Sequence, residues 1–351
     1  MGHLWGLVEN RNRGIRWGFW LKCGGTFLFL YALVRHVPLA ELSSQIGELD
    51  PLYFVLSVIL VPIMVCASCA KWVVIARHQS ASVGFLRHLR HYAVGYYYSN
   101  LLPSNVGGDI VRAFLLGKDI ESHSRAAITV IVERVTGVIC LLLLGAVSWT
   151  LRLDKAASPY IWVPALGATG LLVFTLVLWF ARRWAQRTMN ALFAAIERLP
   201  FLPGRRWLER IFKAVSSFTG KILTASEQMS GRPVFVFRVT ALTVLFYGLA
   251  IANVWLAYRT FGGLVPVRDV ATLLPIVLLI SMVPVSLGSL GLAEGAYVFY
   301  FSFLGVSPEL SLAMGLLLRL KMITVGVVGL VVNWVSGRNG GDALPDLTET
   351  E

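Results

Sequence analysis

The sequence predicts an all-α, polytopic integral membrane protein: about six full crossings and two broken, re-entrant helical hairpins, arranged as an inverted repeat. Three observations carry this. Hydrophobic residues make up 56% of the chain and charged residues 14%, where a soluble domain carries about 25% charged residues. Six apolar stretches, approximately 17–36, 52–76, 126–150, 159–181, 234–258 and 310–336, are long enough to cross a bilayer, which takes about 20 residues. Two more, 92–117 and 270–304, are equally apolar but interrupted by proline and glycine.

Basic residues orient the crossings. Arg11, Arg13 and Arg16 precede the first, and no small-residue cleavage site follows, so residues 1–16 form a cytoplasmic segment rather than a removable signal. The first loop, about 37–51, carries Glu41, Glu48 and Asp50 without Lys or Arg and faces outward. Lys71, Arg77, Arg87 and Arg90 place the next connection in the cytoplasm, and Lys118 and Arg125 return the first broken stretch to the same side.

That stretch reads Asn100-Leu-Leu-Pro-Ser104-Asn105-Val-Gly107-Gly108-Asp109-Ile-Val-Arg112. Pro103 lacks a backbone donor and the glycine pair opens conformations closed to other residues, so a continuous helix is excluded. Asp109 falls in the first turn of a new helix, with Arg112 one turn on. Helix, break, helix at membrane depth lines a cavity.

After the crossings at 126–150 and 159–181, residues 182–232 form the only sizeable loop. Its ten Lys and Arg against Glu197, Glu209 and Glu227 fit an amphipathic cytoplasmic segment on anionic headgroups. A basic loop that only sets topology fits equally well. The crossing at 234–258 leads outward. The second broken stretch, Pro284-Val-Ser286-Leu-Gly288-Ser-Leu-Gly291-Leu-Ala-Glu294, enters and leaves on the outer side, and 310–336 returns. Both termini are then cytoplasmic, with 337–351 as a disordered tail. The membrane domain, 17–336, divides into halves 17–150 and 159–336.

The halves share spacing. Asp109, Arg134 and Trp149 recur 185 residues on as Glu294, Arg319 and Trp334, while Pro103 and Pro284 are 181 apart, which makes the second loop four residues longer. Opposed repeats place substrate near the midplane.

Glu133, Arg134, Arg319 and Lys321 lie inside apolar crossings. A charge there costs about 2.5–3.5 kcal/mol on insertion scales and needs a partner or water. Adjacent helical residues point about 100° apart, so Glu133 does not simply neutralise Arg134. Arg134 sits roughly 12 Å from one helix end and Arg319 roughly 14 Å from the opposite one, within reach of a shared cavity. Two readings remain open and compatible. Asp109 and Glu294 neutralise the arginines and lock the loops, or the arginines and free helix N-termini bind an anionic phosphate. The binding set comprises Asn100, Ser104, Asn105, Gly107, Gly108, Asp109, Arg112, Glu133, Arg134, Ser286, Gly288, Gly291, Glu294 and Arg319. His88 and His91 read as interfacial anchors, and Gly326 with Gly329 as close helix packing.

Other classes fit poorly. The formal net charge of +12 is spread between apolar segments rather than gathered in a patch, which argues against nucleic acid. Cys66 and Cys69 have redox spacing but no second pair or nearby histidines, and read as small hydrophobes. No hydrolase, nucleotide-phosphate or metal motif occurs, so no cofactor or metal is expected.

At Leu-Leu-Pro-Ser-Asn-Val-Gly-Gly-Asp-Ile-Val-Arg112, Glu133-Arg134 and Pro-Val-Ser-Leu-Gly-Ser-Leu-Gly-Leu-Ala-Glu294 the chain resembles the lysylphosphatidylglycerol synthase transmembrane-region family, over roughly 15–336. The resemblance implies a prokaryotic plasma-membrane protein that translocates or handles anionic or isoprenoid-linked lipids. It also leaves room for an accessory role beside a lipid-dependent glycosyl- or acyltransferase. The full synthases carry a C-terminal aminoacyl-transferase domain, which is not expected in this chain.

Overall fold

A computed structural model describes residues 23–33, 35, 47, 49–79, 81–101, 107–150, 231–283 and 285–338, with isolated positions between 167 and 229. Among these residues the regular elements are helical: α1 (Cys23–Leu33), α2 (Pro51–His78), α3 (Phe85–Leu101), α4 (Gly107–Asp119), α5 (His123–Thr150), α6 (Pro233–Thr260), α7 (Val267–Ser281), α8 (Leu292–Ser302) and α9 (Pro308–Arg338). A single 3-10 turn, Leu287–Ser289, lies between α7 and α8. The crossing expected at 159–181 and the basic segment 182–232 lie outside the described residues except for scattered positions, as do Ser104, Asn105 and Pro284.

Among the described residues four helices are long and apolar enough to span a bilayer: α2, α5 over His123–Val147, α6, and α9 over Pro308–Val332. A 28-residue helix such as α2 is about 42 Å long, more than the roughly 30 Å hydrocarbon core. Proline occupies the first turn of α2 and α6, where its missing N–H is not needed. Outward-facing Ile59, Phe237, Leu320 and Val331 are exposed, an unfavourable surface in water and a suitable one in lipid.

The repeat is geometric. Pro51 and Pro233, and Phe85 and Val267, start equivalent helices 182 residues apart; Gly107 and Leu292, and His123 and Pro308, start them 185 apart. From the start of α3 to the start of α4 is 22 residues and from α7 to α8 is 25, so the second half holds three more residues there, against the four inferred from the prolines. Packing follows the same exchange: α2 lies on α6, α3 on α9 as α7 lies on α5, and α4 on α5 as α8 lies on α9. The two halves are inverted. Asp50 N–H donates to Thr260 O at 2.8 Å where α2 begins and α6 ends, and Arg232 reaches His78 where α6 begins and α2 ends. Equivalent helices thus run antiparallel.

Glycine sets the closest approaches. A Cβ on Gly329 of α9 would stand 2.0 Å from Ala93 O, and one on Gly108 would stand 2.1 Å from Gly95 O. The expected packing role of Gly326 and Gly329 is seen, with α3 seated against α9. One apolar core lies among α6–α9, around Tyr258, Val270, Leu274, Phe301 and Met314. A smaller one lies among α2–α5, around Trp72, Tyr92, Leu116 and Val130. Two sequence assignments change here. Lys71 lies buried within α2, not in a connection, and His88 and His91 are buried rather than interfacial.

Candidate functional site

The second broken hairpin is a closed lock. Gly291, with φ of 77°, caps α8 in a conformation that favours glycine. Glu294, in the first turn of α8, accepts from Gly291 N–H at 2.8 Å through one carboxylate oxygen. The other oxygen accepts from Arg319 Nε at 2.6 Å. The remaining arms of Arg319 donate to Gly288 O at 2.9 Å and Ser289 O at 3.1 Å. This guanidinium, held between carboxylate and backbone, ties α9 to the turn.

The first hairpin repeats one part of this. Arg134 Nε donates to Asp109 Oδ2 at 2.5 Å. Its terminal nitrogens make no hydrogen bond to a described residue, and half of the side chain (50%) is exposed, against 22% for Arg319. A charged fork is thus anchored at one nitrogen and, among the described residues, unpartnered at two.

Around Asp109 the first half adds a buried ionic cluster. Arg112 donates to Asp109 Oδ1 at 2.9 and 3.1 Å and to Glu133 Oε2 at 2.7 Å. Tyr92 O–H donates to Glu133 Oε1 at 2.8 Å, and Lys71 Nζ donates to the Glu133 carbonyl at 2.9 Å. The Arg112 guanidinium also lies over Tyr92 and Trp72, 4.6 and 5.2 Å from their ring centres, a favourable arrangement when desolvated. Below it, His91 and Arg87 hold Asp119 at 2.8 and 2.6 Å.

Among the described residues the second half lacks this layer at six equivalent positions. By the offsets of 182 and 185, Tyr92 corresponds to Leu274, Arg112 to Tyr297, Glu133 to Leu318, Trp72 to Val254, His91 to Leu273 and Asp119 to Leu304. All six counterparts belong to or pack against the larger apolar core. At these six positions the same backbone arrangement is therefore built once with polar side chains and once with an apolar core, while Arg87 has a buried acid, Asp269, as its counterpart. A buried ion pair is weak support for stability beside well-packed apolar residues, so the fold alone does not account for the polar version.

Among the anticipated residues, Asp109, Arg112, Glu133 and Arg134 converge in one cluster, with Gly107 and Gly108 starting the helix that presents Asp109. Gly288, Gly291, Glu294 and Arg319 converge in the other. Among the described residues no hydrogen bond or ion pair links the two clusters, so each arginine serves its own half. Asn100 belongs to neither and donates to Met322 O at 3.0 Å across the α3–α9 contact. Ser286 is buried with an unpartnered hydroxyl. Sequence reasoning missed Lys71 and Tyr92. Lys71 lay within an apolar stretch and was visible as an intramembrane charge, whereas nothing local distinguishes Tyr92 from its aromatic neighbours. The same interface in the second half holds Lys321, which donates to Asn253 at 2.7 Å. Lys71 and Asn253 are equivalent positions, so the cation has changed helices.

Comparison with known proteins places the chain in a membrane-protein family. The profile described as "Lysylphosphatidylglycerol synthase TM region" matches residues 19–329. A UPF0104 membrane protein of Methanothermobacter thermautotrophicus is 26% identical over 302 residues, covering 83% of this chain and 87% of the relative. Another UPF0104 membrane protein, from Methanocaldococcus jannaschii, is 22% identical and covers 84% and 88% respectively. No solved structure matches.

Proposed function

Because the chain belongs to the lysylphosphatidylglycerol synthase transmembrane-region family, we propose that it translocates a lipid with an anionic or isoprenoid-linked phosphate headgroup across the plasma membrane. Both termini lie in the cytoplasm in this reading. The headgroup binds at the first broken hairpin, where Arg134 meets it.

The reading rests on the open fork of Arg134. Its Nε is held by Asp109 at 2.5 Å, the side chain is half-exposed, and the terminal nitrogens have no described partner. Two parallel N–H donors suit a phosphate, which accepts bidentately. The buried cluster beneath then has a role. With Lys71, Arg112 and Arg134 against Asp109 and Glu133, the formal charge is 3 − 2 = +1, an excess that an incoming anion neutralises. Asp109 competes with that anion, which keeps binding weak enough for release. No cofactor is needed for such facilitated movement.

The test is reconstitution into liposomes with a fluorescent phosphatidylglycerol reporter. Wild-type protein accelerates exchange of the reporter between leaflets. Arg134→Gln, which keeps length and hydrogen bonding but loses charge and fork geometry, slows it by about tenfold, the equivalent of roughly 1.4 kcal/mol. Equal exchange by the variant rules out Arg134 as the headgroup ligand.

A further inference from the structure

Where α2 ends and α6 begins, a surface hollow of about 490 Å3 is lined by Arg77, His78, Arg232, Phe235 and Arg238. Three arginines line one space, with no acidic side chain among its described lining residues. Arg77 and Arg238 are exposed and form no ion pair with a described residue. The floor is aromatic, with His78 stacked on Phe235 at 4.1 Å between ring centres, and Arg232 donates to the His78 ring.

Arg232 is also the N-cap of α6, and no described side chain caps that helix. The first N–H groups of a helix need acceptors, and the positive end of its dipole disfavours a cation. Three like charges at this point repel one another unless an anion joins them.

The inverted repeat contains the matching end with its anion built in. Residue 232 corresponds to 50 by the offset of 182. At that position Asp50 caps α2, its Oδ1 accepting from Leu52 N–H at 2.9 Å and Tyr53 N–H at 3.3 Å. Arg77 has its own counterpart there, Arg259. One end of the α2–α6 pair therefore carries its carboxylate in the chain, and the other presents the same backbone donors with the acid replaced by arginine.

We propose that this hollow binds the phosphate of an anionic lipid at the membrane surface. The phosphate takes the place that Asp50 fills at the opposite end, accepting from the free N–H groups of α6 and from Arg77, Arg232 and Arg238. Val234 and Phe237 are 62% and 72% exposed beside it, an apolar surround against which acyl chains lie. Basic hollows between spanning helices recognise lipid headgroups in this way. The site is separate from Arg134 and does not depend on the transport reading.

The experiment is calorimetric titration of the full-length protein in neutral detergent with dihexanoyl phosphatidylglycerol, dihexanoyl phosphatidylcholine and inorganic phosphate. Phosphatidylglycerol binds more tightly than phosphatidylcholine, and added salt weakens it. In an Arg134→Gln background, which removes the headgroup site proposed at the first hairpin, the combined Arg77→Gln, Arg232→Gln and Arg238→Gln variant weakens this binding by about tenfold or more. Arg232→Asp restores the internal cap, raising the melting temperature while abolishing binding. Phosphate binding as tightly as the lipid would assign the site to soluble phosphates and overturn the lipid source. Binding of neither anion, equal binding of phosphatidylcholine, or undiminished binding by both hollow variants overturns the site itself.

Discussion

Arg319 Nε lies 2.6 Å from Glu294 Oε1, 25 residues earlier in the chain, and the same atom of Arg134 lies 2.5 Å from Asp109, also 25 residues earlier. The two contacts are equivalent under the inverted repeat, yet their surroundings differ. Arg319 spends its other nitrogens on backbone carbonyls, and Arg134 holds its own open. One position serves as a lock, the other as a lock with spare donors.

This difference predicts opposite consequences of the same substitution. Arg319→Gln strands the buried Glu294 carboxylate and frees two carbonyls, at a cost of about 3–5 kcal/mol. Arg134→Gln leaves Asp109 with Arg112 and removes a half-exposed pair, at about 1 kcal/mol or less. Thermal unfolding in detergent should show a large fall for the first and a small one for the second. Equal falls would mean that Arg134 is as structural as Arg319. Adding Asp109→Asn to Arg134→Gln should lower stability further, because it also breaks the buried Arg112–Asp109 pair, and should not recover lipid exchange.

The apolar second half indicates how to rebuild the first. Replacing Tyr92, Arg112 and Glu133 together by their counterparts Leu, Tyr and Leu should leave the melting temperature unchanged or raised, since a buried ionic set is often no more stable than apolar packing. Arg112→Tyr alone leaves Glu133 without its partner and should cost about 3–5 kcal/mol. Lipid exchange should be lost in both variants. A triple variant that still moves lipid would show that the polar layer is dispensable for transport.

At the α3–α9 contact, Gly329→Ala drives a Cβ to 2.0 Å from Ala93 O, a backbone atom that cannot swing away. A loss of about 1–3 kcal/mol is expected from overpacking. Gly326→Ala meets Asn100 Nδ2 at 2.3 Å, the end of a side chain that can rotate. Its cost should be limited to the Asn100–Met322 hydrogen bond, about 0.5–1.5 kcal/mol. Melting temperatures of the two variants check the order.

The inversion predicts sidedness. In a background without native cysteines, Ser104→Cys and Ser289→Cys should be modified by membrane-impermeant maleimide from opposite faces of sealed vesicles. Labelling of both from one face would contradict the antiparallel pairing of α2 with α6.

Much of this was legible in the linear chain. Apolar length marks the crossings, and Pro103 with Gly107 and Gly108 marks the first break, because a chain in lipid must satisfy its own backbone and cannot hide an interruption. The recurrence of Asp109 with Arg134 as Glu294 with Arg319 announced the repeat before any fold was known. What the sequence could not decide is which donors remain unused. Arg134 and Arg319 look alike in one dimension, and Lys71 and Tyr92 carry no local sign that they converge on Glu133, 62 and 41 residues away. Helical periodicity shows which residues share a face of one helix, but hydrogen bonding acts over about 3 Å between helices distant in sequence. Only packing α2, α3, α4 and α5 together brought those side chains within reach, and only the tertiary fold engages all three nitrogens of Arg319 while leaving the terminal nitrogens of Arg134 without a partner among the described residues.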